Sequence, residues 1–489
     1  MHSPIIAPEQ MRAAEEAAFA RGISPDALME EAGEGIARAL WKFFPRPGKC
    51  VVFAGKGHNA GDAFVAARRL AQIGWEIETR LAYPEKELAE LTGRKLRELR
   101  EVTSVEASTP GLAVLLDGLL GLGAKPPLRE PIRGLCRELN ARRECARVVA
   151  IDLPSGLDGD SGAADDDCVI ADFTLTIGCA KSGLVADDAL DFVGRLEVIE
   201  LAELRLADGK YPQELATPET LRELLPRRKY SAYKNQFGRI GIVAGSRGFT
   251  GAALMCSLGA LRAGAGLVEL FVPENIYEII ATAAAPEVMV KPVENYEKLL
   301  EEKIDVWAVG PGLGKSHAEE ILRLIRDAEQ PMVVDADGLN ILSEKIAALS
   351  EVAGPRLLTP HPGEMKRLFP VEKKSRADWA TQFCDKYEAT LLLKGSRTIV
   401  GGRGLPISYN TTGTPGMATG GMGDVLTGVC AGLLGAKLPP NDAARLGAWA
   451  CGRAAEIALS TGKVSEESLL PSDVLAHLGC AFRELRIAG

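Results

Sequence analysis

The sequence predicts an α/β protein of two doubly wound domains, and three observations predict it. Short β-branched runs alternate with longer Ala-, Leu- and Arg-rich stretches of helical period through most of the 489 residues. That is the pattern of βαβ units on a mainly parallel sheet. The series runs once, pauses at the turn-rich LADGKYPQELATPET, and then restarts. Hydrophobic residues make up 46% and charged residues 25%, a globular balance that excludes a mainly disordered chain. A single restart favours two domains, with a boundary near Ala216: residues 1–216 and 217–489.

The elements follow in chain order. PEQMRAAEEAAFARG reads as a helix, with Pro8 near its start and Gly22 just past its end. KCVVFA, EIETRLA, AVLLD and RVVAID read as strands. DAFVAARRLAQIG reads as a helix, because Phe64, Ala67, Leu70 and Gly74 recur at helical spacing. In the second series GRIGIVAG, GLVELFV, DVWAVG, PMVVDA, RLLT and TLLLK are strands, each followed by a loop and a helical stretch.

Lysines and arginines number 57 against 66 acidic residues, a net charge of −9. That balance argues against a protein that grips a nucleic-acid backbone. It leaves room for a phosphorylated small ligand, since helix-start N–H groups hold phosphate without net positive charge. None of the ten cysteines forms a C-x-x-C pair, so neither a zinc site nor a redox motif is indicated. They read as reduced, mostly buried thiols. MHSPIIAPEQMR lacks a basic region followed by an apolar core. Uncharged residues 248–261 are too few to span a bilayer, and residues 404–423 are rich in Gly and Thr rather than apolar. A cytoplasmic protein without membrane or nucleic-acid partners is expected.

Strand KCVVFA runs into Gly55-Lys56-Gly57-His58-Asn59-Ala60-Gly61-Asp62 and then a helix. Gly-x-Gly-x-x-Ala in that context is the dinucleotide fingerprint, and Glu76 and Glu78 lie near the distance of a ribose acid. Taken alone it fits equally a Gly-rich turn with no ligand. Asp62 at the predicted helix start would cap the helix or repel a pyrophosphate. Two further strands end in aspartate with glycine following, at Asp117-Gly118 and at Asp152 ahead of Leu153-Pro154-Ser155-Gly156. One such Asp alone reads as a turn residue. Three successive strand ends of this kind point to a ligand crevice at the carboxyl edge of the sheet.

GKGHNAGD, LLDGLLGLG and AIDLPSGLDGDSG, with the opening MRAAEEAAFARGISPDALMEEAG, resemble the motifs of the NAD(P)H-hydrate epimerase domain. The resemblance covers about the first 200 residues. It implies a Rossmann-like three-layer domain whose hydrated nucleotide meets His58, Asn59, Ala60, Gly61 and Asp62. It implies further contacts from Gly121, Leu122, Gly123, Ala124, Lys125, Pro126, Pro127 and Asp152. It also implies that Asn59, Asp117 and Ser155 hold a potassium ion, for which oxygen ligands are suited. Asp152 is the candidate acid/base, since epimerising a carbon that carries a hydroxyl needs proton transfer. The usual loop reads Asn-Asn-Gly-Gly-Asp-Gly; here it is His58-Asn59-Ala60-Gly61-Asp62-Ala63.

In the second series, Gly310-Pro311-Gly312-Leu313-Gly314-Lys315-Ser316 invites a P-loop reading. The motif needs Gly where Val309 stands, so an ordinary P-loop is rejected. The strongest local signal is the glycine-rich run from Gly413 through Gly416, Gly420, Gly421 and Gly423 to Asp424 and Gly428. Helix-start amides there would cradle a phosphoryl group, and Asp424 would accept the proton of an attacking hydroxyl. An Asp helix cap is the simpler reading, but so many glycines before one helix are poor capping.

This Gly-Met-Gly-Asp element resembles the anion hole and base of ribokinase-like kinases. Thr359-Pro360-His361-Pro362-Gly363-Glu364 resembles their Asn-x-x-Glu magnesium region, with His361 in place of Asn. With the Gly245-Ser246 and Thr250-Gly251-Ala252 loop, GPGLG and KGSRT, the whole is similar to ADP-dependent NAD(P)H-hydrate dehydratase. The resemblance implies that Ala252, Gly314, His361 and Asp424 contact the hydrated nucleotide. It implies that Lys394, Gly395, Ser396, Arg397, Thr398 and Gly423 contact ADP, which brings Mg2+ with it.

The two resemblances together imply a bifunctional repair enzyme for hydrated NAD(P)H, with small-molecule substrates and a homo-oligomeric assembly. Asp152 and Asp424 are its expected catalytic residues. The alternative is a ribokinase-type small-alcohol or vitamin kinase with a non-catalytic ligand-binding first domain. The basic cluster Arg227-Arg228-Lys229 is expected to be solvated, and Trp307 and Trp449 are expected in the core.

Overall fold

The runs KCVVFA, AVLLD and RVVAID are buried on both faces along most of their length, and that dictates a covered parallel sheet. The computed structural model describes residues 3–102, 113–206, 209–225, 227–371 and 375–487. The chain divides into two compact units, Ser3–Tyr211 and a second that begins at Pro212.

The first unit comprises β1 (Ile5–Ile6), α1 (Pro8–Ala20), α2 (Pro25–Phe43), β2 (Lys49–Ala54), α3 (His58–Gln72), β3 (Glu76–Leu81) and α4 (Glu90–Arg100). It continues with β4 (Ala113–Gly118), α5 (Ile132–Ala141), β5 (Ala146–Ile151), β6 (Phe173–Ile177), β7 (Ala180–Lys181), α6 (Leu190–Val193) and β8 (Arg195–Ile199). Six strands form one parallel sheet in the order β3-β2-β4-β5-β6-β8. The two-residue strand period sends Val52, Leu116 and Val149 into one core with Ile36 and Phe64. It sends Val51, Phe53, Leu115 and Val148 into the opposite core with Ile132, Cys136 and Leu139 of α5. β1 pairs with β7, tying the start of the unit to Lys181.

Three expectations change here. Helix α3 begins at His58, not Asp62, so Asp62 lies in its second turn and caps nothing. Glu76 and Glu78 sit at the amino end of β3 and pair with Lys49 at 2.9 and 3.1 Å. They face away from the carboxyl edge where a ribose would lie. Strands β6 and β8 were not expected from sequence.

The second unit comprises β9 (Gln213–Ala216), α7 (Pro218–Leu221), β10 (Arg239–Val243), α8 (Thr250–Arg262), β11 (Leu267–Pro273), α9 (Tyr277–Ala283), β12 (Val288–Val293) and β13 (Val306–Val309). Then come α10 (Ala318–Asp327), β14 (Met332–Val334), α11 (Ala336–Glu344), β15 (Arg356–Leu358), α12 (Pro362–Leu368), α13 (Arg376–Lys386) and β16 (Thr390–Leu393). It closes with β17 (Ile399–Gly401), β18 (Ile407–Asn410), α14 (Met422–Gly435), α15 (Pro440–Ser460) and α16 (Pro471–Ile487). The sheet runs β12-β11-β10-β13-β14-β15-β16-β17-β18-β9, and only the pairs of β17 are antiparallel.

β9 corrects the boundary. Gln213–Ala216 pairs in parallel with β18, so its hydrogen bonds belong to the second sheet. The division therefore falls at Tyr211–Pro212 rather than near Ala216. Residues 207–208 of the expected linker lie outside the described residues.

Helix α14 carries one charged residue, Asp424, and is buried from Val425 to its end. It packs on α8 almost backbone to backbone. A Cβ added at Gly428 would lie 1.9 Å from the Cys256 carbonyl oxygen, so only glycine fits there. Trp307 and Trp449 are buried as expected, and Arg227, Arg228 and Lys229 are exposed. Among the described residues, no helix is long and apolar enough to cross a membrane.

Candidate functional site

In an open parallel sheet, ligands bind where the strand order reverses. In the first unit the order reverses between β2 and β4. The two loops leaving these strands approach so closely that a Cβ on Gly55 would lie 1.9 Å from the Leu119 carbonyl oxygen. Gly57 then starts α3 without a side-chain cap, which leaves its first amides without a side-chain partner. His58 is exposed at that start, while Asn59, Ala60, Gly61 and Asp62 are buried behind it.

Asn59 joins three strand ends. Its Nδ2 donates to the carbonyls of Leu120 at 2.7 Å and Ile151 at 3.2 Å. Leu120 N donates to Ser155 Oγ at 3.0 Å, and Ser155 donates from Oγ and N to the two oxygens of Asp117 at 2.7 and 2.8 Å. Asp117 is fully buried. Burial pushes its carboxyl up to about 6, against the lowering effect of the Ser155 and Leu119 hydrogen bonds. Among the described residues no cationic side chain pairs with it, and no three His, Cys, Asp or Glu cluster as metal ligands. A buried carboxylate amid amide, hydroxyl and carbonyl oxygens fits a hard monovalent cation.

The loop of Gly121, Leu122, Gly123, Ala124, Lys125, Pro126 and Pro127 lies against this network. A Cβ on Gly121 would come within 3.2 Å of Asn59 Cβ, and Arg12 donates to the Leu122 carbonyl at 3.3 Å. Lys125 is exposed, 3.9 Å from Asp158.

Asp152 follows β5 with φ 65°, a left-handed backbone that few non-glycine residues adopt. Its Oδ1 accepts from Lys181 Nζ, from Ile177 N at 3.2 Å and from Thr176 Oγ1 at 3.5 Å. The carboxyls of Asp62 and Glu15 lie in its field. Burial first, and then repulsion from Asp152, raises both above the usual carboxylate range. Sequence reading did not single out Lys181 or Glu15. A lysine inside the apolar run TLTIGCAK was the available signal.

In the second unit the order reverses between β10 and β13. The loop after β10 carries Gly245 and Ser246, and the loop after β13 carries Gly310, Gly312 and Gly314. Gly245 N donates to the Pro311 carbonyl at 2.8 Å and Ser246 Oγ to the Gly312 carbonyl at 2.8 Å. A Cβ on Gly312 would lie 3.0 Å from that of Ala252, in the first turn of α8. Gly314 N donates to Asp337 at 2.8 Å.

Asp424 lies in the first turn of α14, whose cap is Gly421, so Asp424 is not the cap. Burial raises its carboxyl to about 6; Asp335 adds to the shift and Lys394 opposes it. Asp335 follows β14, is almost fully buried, and pairs with Lys394 Nζ at 2.6 Å and Thr427 Oγ1 at 2.7 Å. Burial opposes the Lys394 charge, but Asp335 and Glu364 hold its pKa above the ordinary lysine value. A Cβ on Gly423 would sit 3.3 Å from Lys394 Nζ. Gly423, Asp424, Asp335, Lys394 and Glu364 thus form one cluster at the start of α14. Asp335 was missed, although a strand-end Asp was the signal used in the first series.

His361 lies where the chain enters α12. It is the cap of α12: Nδ1 accepts from Gly363 N at 3.0 Å, and Glu364 returns to His361 N at 2.8 Å. Its ring is half exposed, with Nε2 3.5 Å from Glu364. Beyond Lys394, Arg397 is buried with φ 53°, Ser396 O accepts from Arg376 at 2.8 Å, and Thr398 Oγ1 donates to the Gly395 carbonyl at 3.1 Å. Two cavities of this unit, 180 Å³ beside Arg228 and Phe482 and 490 Å³ beside Asp305 and Leu438, include none of these residues. The site is marked by its chemistry and by the strand order.

Residues 240–476 match a family model described as NAD(P)H-hydrate dehydratase, and residues 25–183 one described as YjeF-related protein N-terminus. A bifunctional NAD(P)H-hydrate repair enzyme of Moorella thermoacetica is 35% identical over 94% of this chain and 92% of its own. One from Gloeobacter violaceus is 37% identical over 91% of each. An ADP/ATP-dependent NAD(P)H-hydrate dehydratase of Bacillus subtilis, co-crystallised with ATP/Mg2+, is 29% identical over 55% of this chain and 98% of its own, with a TM-score of 0.48.

Proposed function

Because this chain belongs to the family of bifunctional NAD(P)H-hydrate repair enzymes, we propose that its first unit interconverts the R and S epimers of hydrated NAD(P)H. Its second unit dehydrates the S epimer at the expense of ADP, giving NAD(P)H, AMP and phosphate. The observation that carries the reading is that aspartates gather near the strand-order reversal of each unit: buried Asp62, Asp117 and Asp152 in the first, and buried Asp335 with partly buried Asp424 in the second. The relatives support this reading over a vitamin-type kinase, since they match both units at once.

In the first unit Asp152 exchanges the proton of the C6 hydroxyl, with Asp62 buried beside it. Loop residues 121–127 and the start of α3 hold the nucleotide. Asn59, Asp117 and Ser155 would hold K+, which would neutralise the buried Asp117 carboxylate. In the second unit Asp424 takes the C6 hydroxyl proton as that oxygen attacks the β-phosphoryl group of ADP, and AMP leaves. Phosphate then departs with the C6–O electron pair, and loss of the C5 proton restores the dihydropyridine. Helix-start amides at Gly423 and the Lys394 ammonium stabilise the transferring charge. Residues 394–398 face the ADP, Ala252, Gly314 and His361 the hydrated ring, and Glu364 would support Mg2+ on the nucleotide. Ten free cysteines, most of them buried, support a cytoplasmic setting, in which we expect a homo-oligomer.

The test incubates the protein with mixed epimers of hydrated NADH, with and without ADP. Recovery of dihydronicotinamide absorbance from both epimers, only with ADP, is expected. Recovery from the S epimer alone would retire the epimerase half.

A further inference from the structure

We propose that Lys181 is a positioning residue for epimer exchange: it anchors Oδ1 of Asp152 so that Oδ2 is the oxygen that meets the substrate. The inference rests on the epimerase reading of the first unit. Three donors converge on Oδ1, namely Lys181 Nζ, Ile177 N and Thr176 Oγ1. Among the described residues Oδ2 accepts no hydrogen bond, and it is not a buried orphan either, so it reaches solvent. The two oxygens of one carboxylate are thus divided between an anchor and an open face.

Lys181 is built for the anchor. Its side chain is 1% exposed. Its three N–H donors have three acceptors: Asp152 Oδ1, the Ile177 carbonyl at 2.8 Å and Thr176 Oγ1 at 3.2 Å. With every donor spent inside the protein, it has none for a ligand. Its backbone is held by β7, paired to β1, and Ser182 Oγ donates to the Ile6 carbonyl at 3.2 Å. Asp62 and Glu15 also face Asp152, and both are carboxyls. Lys181 is the cation paired with Asp152 among them.

In the step served, the C6 hydroxyl proton passes to Oδ2. The O–H pair becomes the C6=O bond, and the C6–N1 pair moves onto nitrogen. Rotation, re-attack of N1 on the other face and return of the proton give the other epimer, with no atom or electron gained.

The test measures kcat and KM of epimer exchange for full-length K181M, using the R epimer of hydrated NADH. The expected result is a kcat lower by about 100-fold, with KM changed less than about threefold. An unchanged kcat, or a KM raised by as much as kcat falls, would overturn the proposal. If K181M does not fold, T176V replaces it: a smaller fall in kcat supports the anchor and an unchanged kcat overturns it. Wild type inactive on both epimers would instead refute the epimerase reading itself.

Discussion

Lys394 Nζ lies 2.6 Å from Oδ1 of Asp335, and Asp424 titrates in the field of that pair. Lys394 keeps less than a fifth of its side chain exposed, and Asp335 almost none. Breaking such a pair from one side strands a buried charge. Replacing Lys394 with Met should therefore destabilise the second unit by about 3 kcal/mol and abolish dehydration. The double variant with D335N should recover much of the stability and none of the activity. Urea unfolding of the three variants, alongside the dehydration assay, checks this.

Asp424 gives a pH dependence of known sign. Its carboxyl is raised from 3.8 to about 6 in the folded protein, so the folded state binds its proton more tightly than the unfolded one. The group's contribution is therefore lost as pH rises through that window. D424N should be more stable than wild type at pH 7, by about 1 kcal/mol after allowance for partial exposure. The gap should close below pH 4. Dehydration by wild type should fall on acidification below about pH 6. Thermal unfolding and initial rates across pH 4–8 test both halves.

Much of this was legible in the sequence, and the residues show why. Asp117 and Asp424 stand beside glycines at a strand end and a helix start, and Asp152 ends a strand shortly before Gly156, a local pattern. Lys181 was not legible, because its partner is 29 residues away and only the folded sheet brings them together. β9 was hidden for the same reason, since it pairs with β18 across the whole second unit. The place of His361 does carry a local signal: Pro362 and Glu364 after it spell a capped helix start. Asp335 closes the strand PMVVDA and was passed over as part of the strand.

Potassium should act on the first unit through Asp117. Replacing choline chloride with KCl at equal ionic strength should raise the unfolding temperature of the wild type and accelerate epimer exchange. In D117N both effects should disappear, because the carboxylate that balances the ion is gone. Equal responses of D117N and wild type would place the cation elsewhere.

The central claim is that one chain carries two independent sites working in sequence, and the R epimer tests it most directly. Wild type, D152N and D424N are each given the R epimer of hydrated NADH with ADP, and dihydronicotinamide absorbance and epimer ratio are followed together. Wild type should recover NADH. D152N should recover it no faster than spontaneous exchange supplies the S epimer, and D424N should exchange epimers yet recover none. Recovery by D152N at the wild-type rate, or by D424N at any rate above background, would contradict the account.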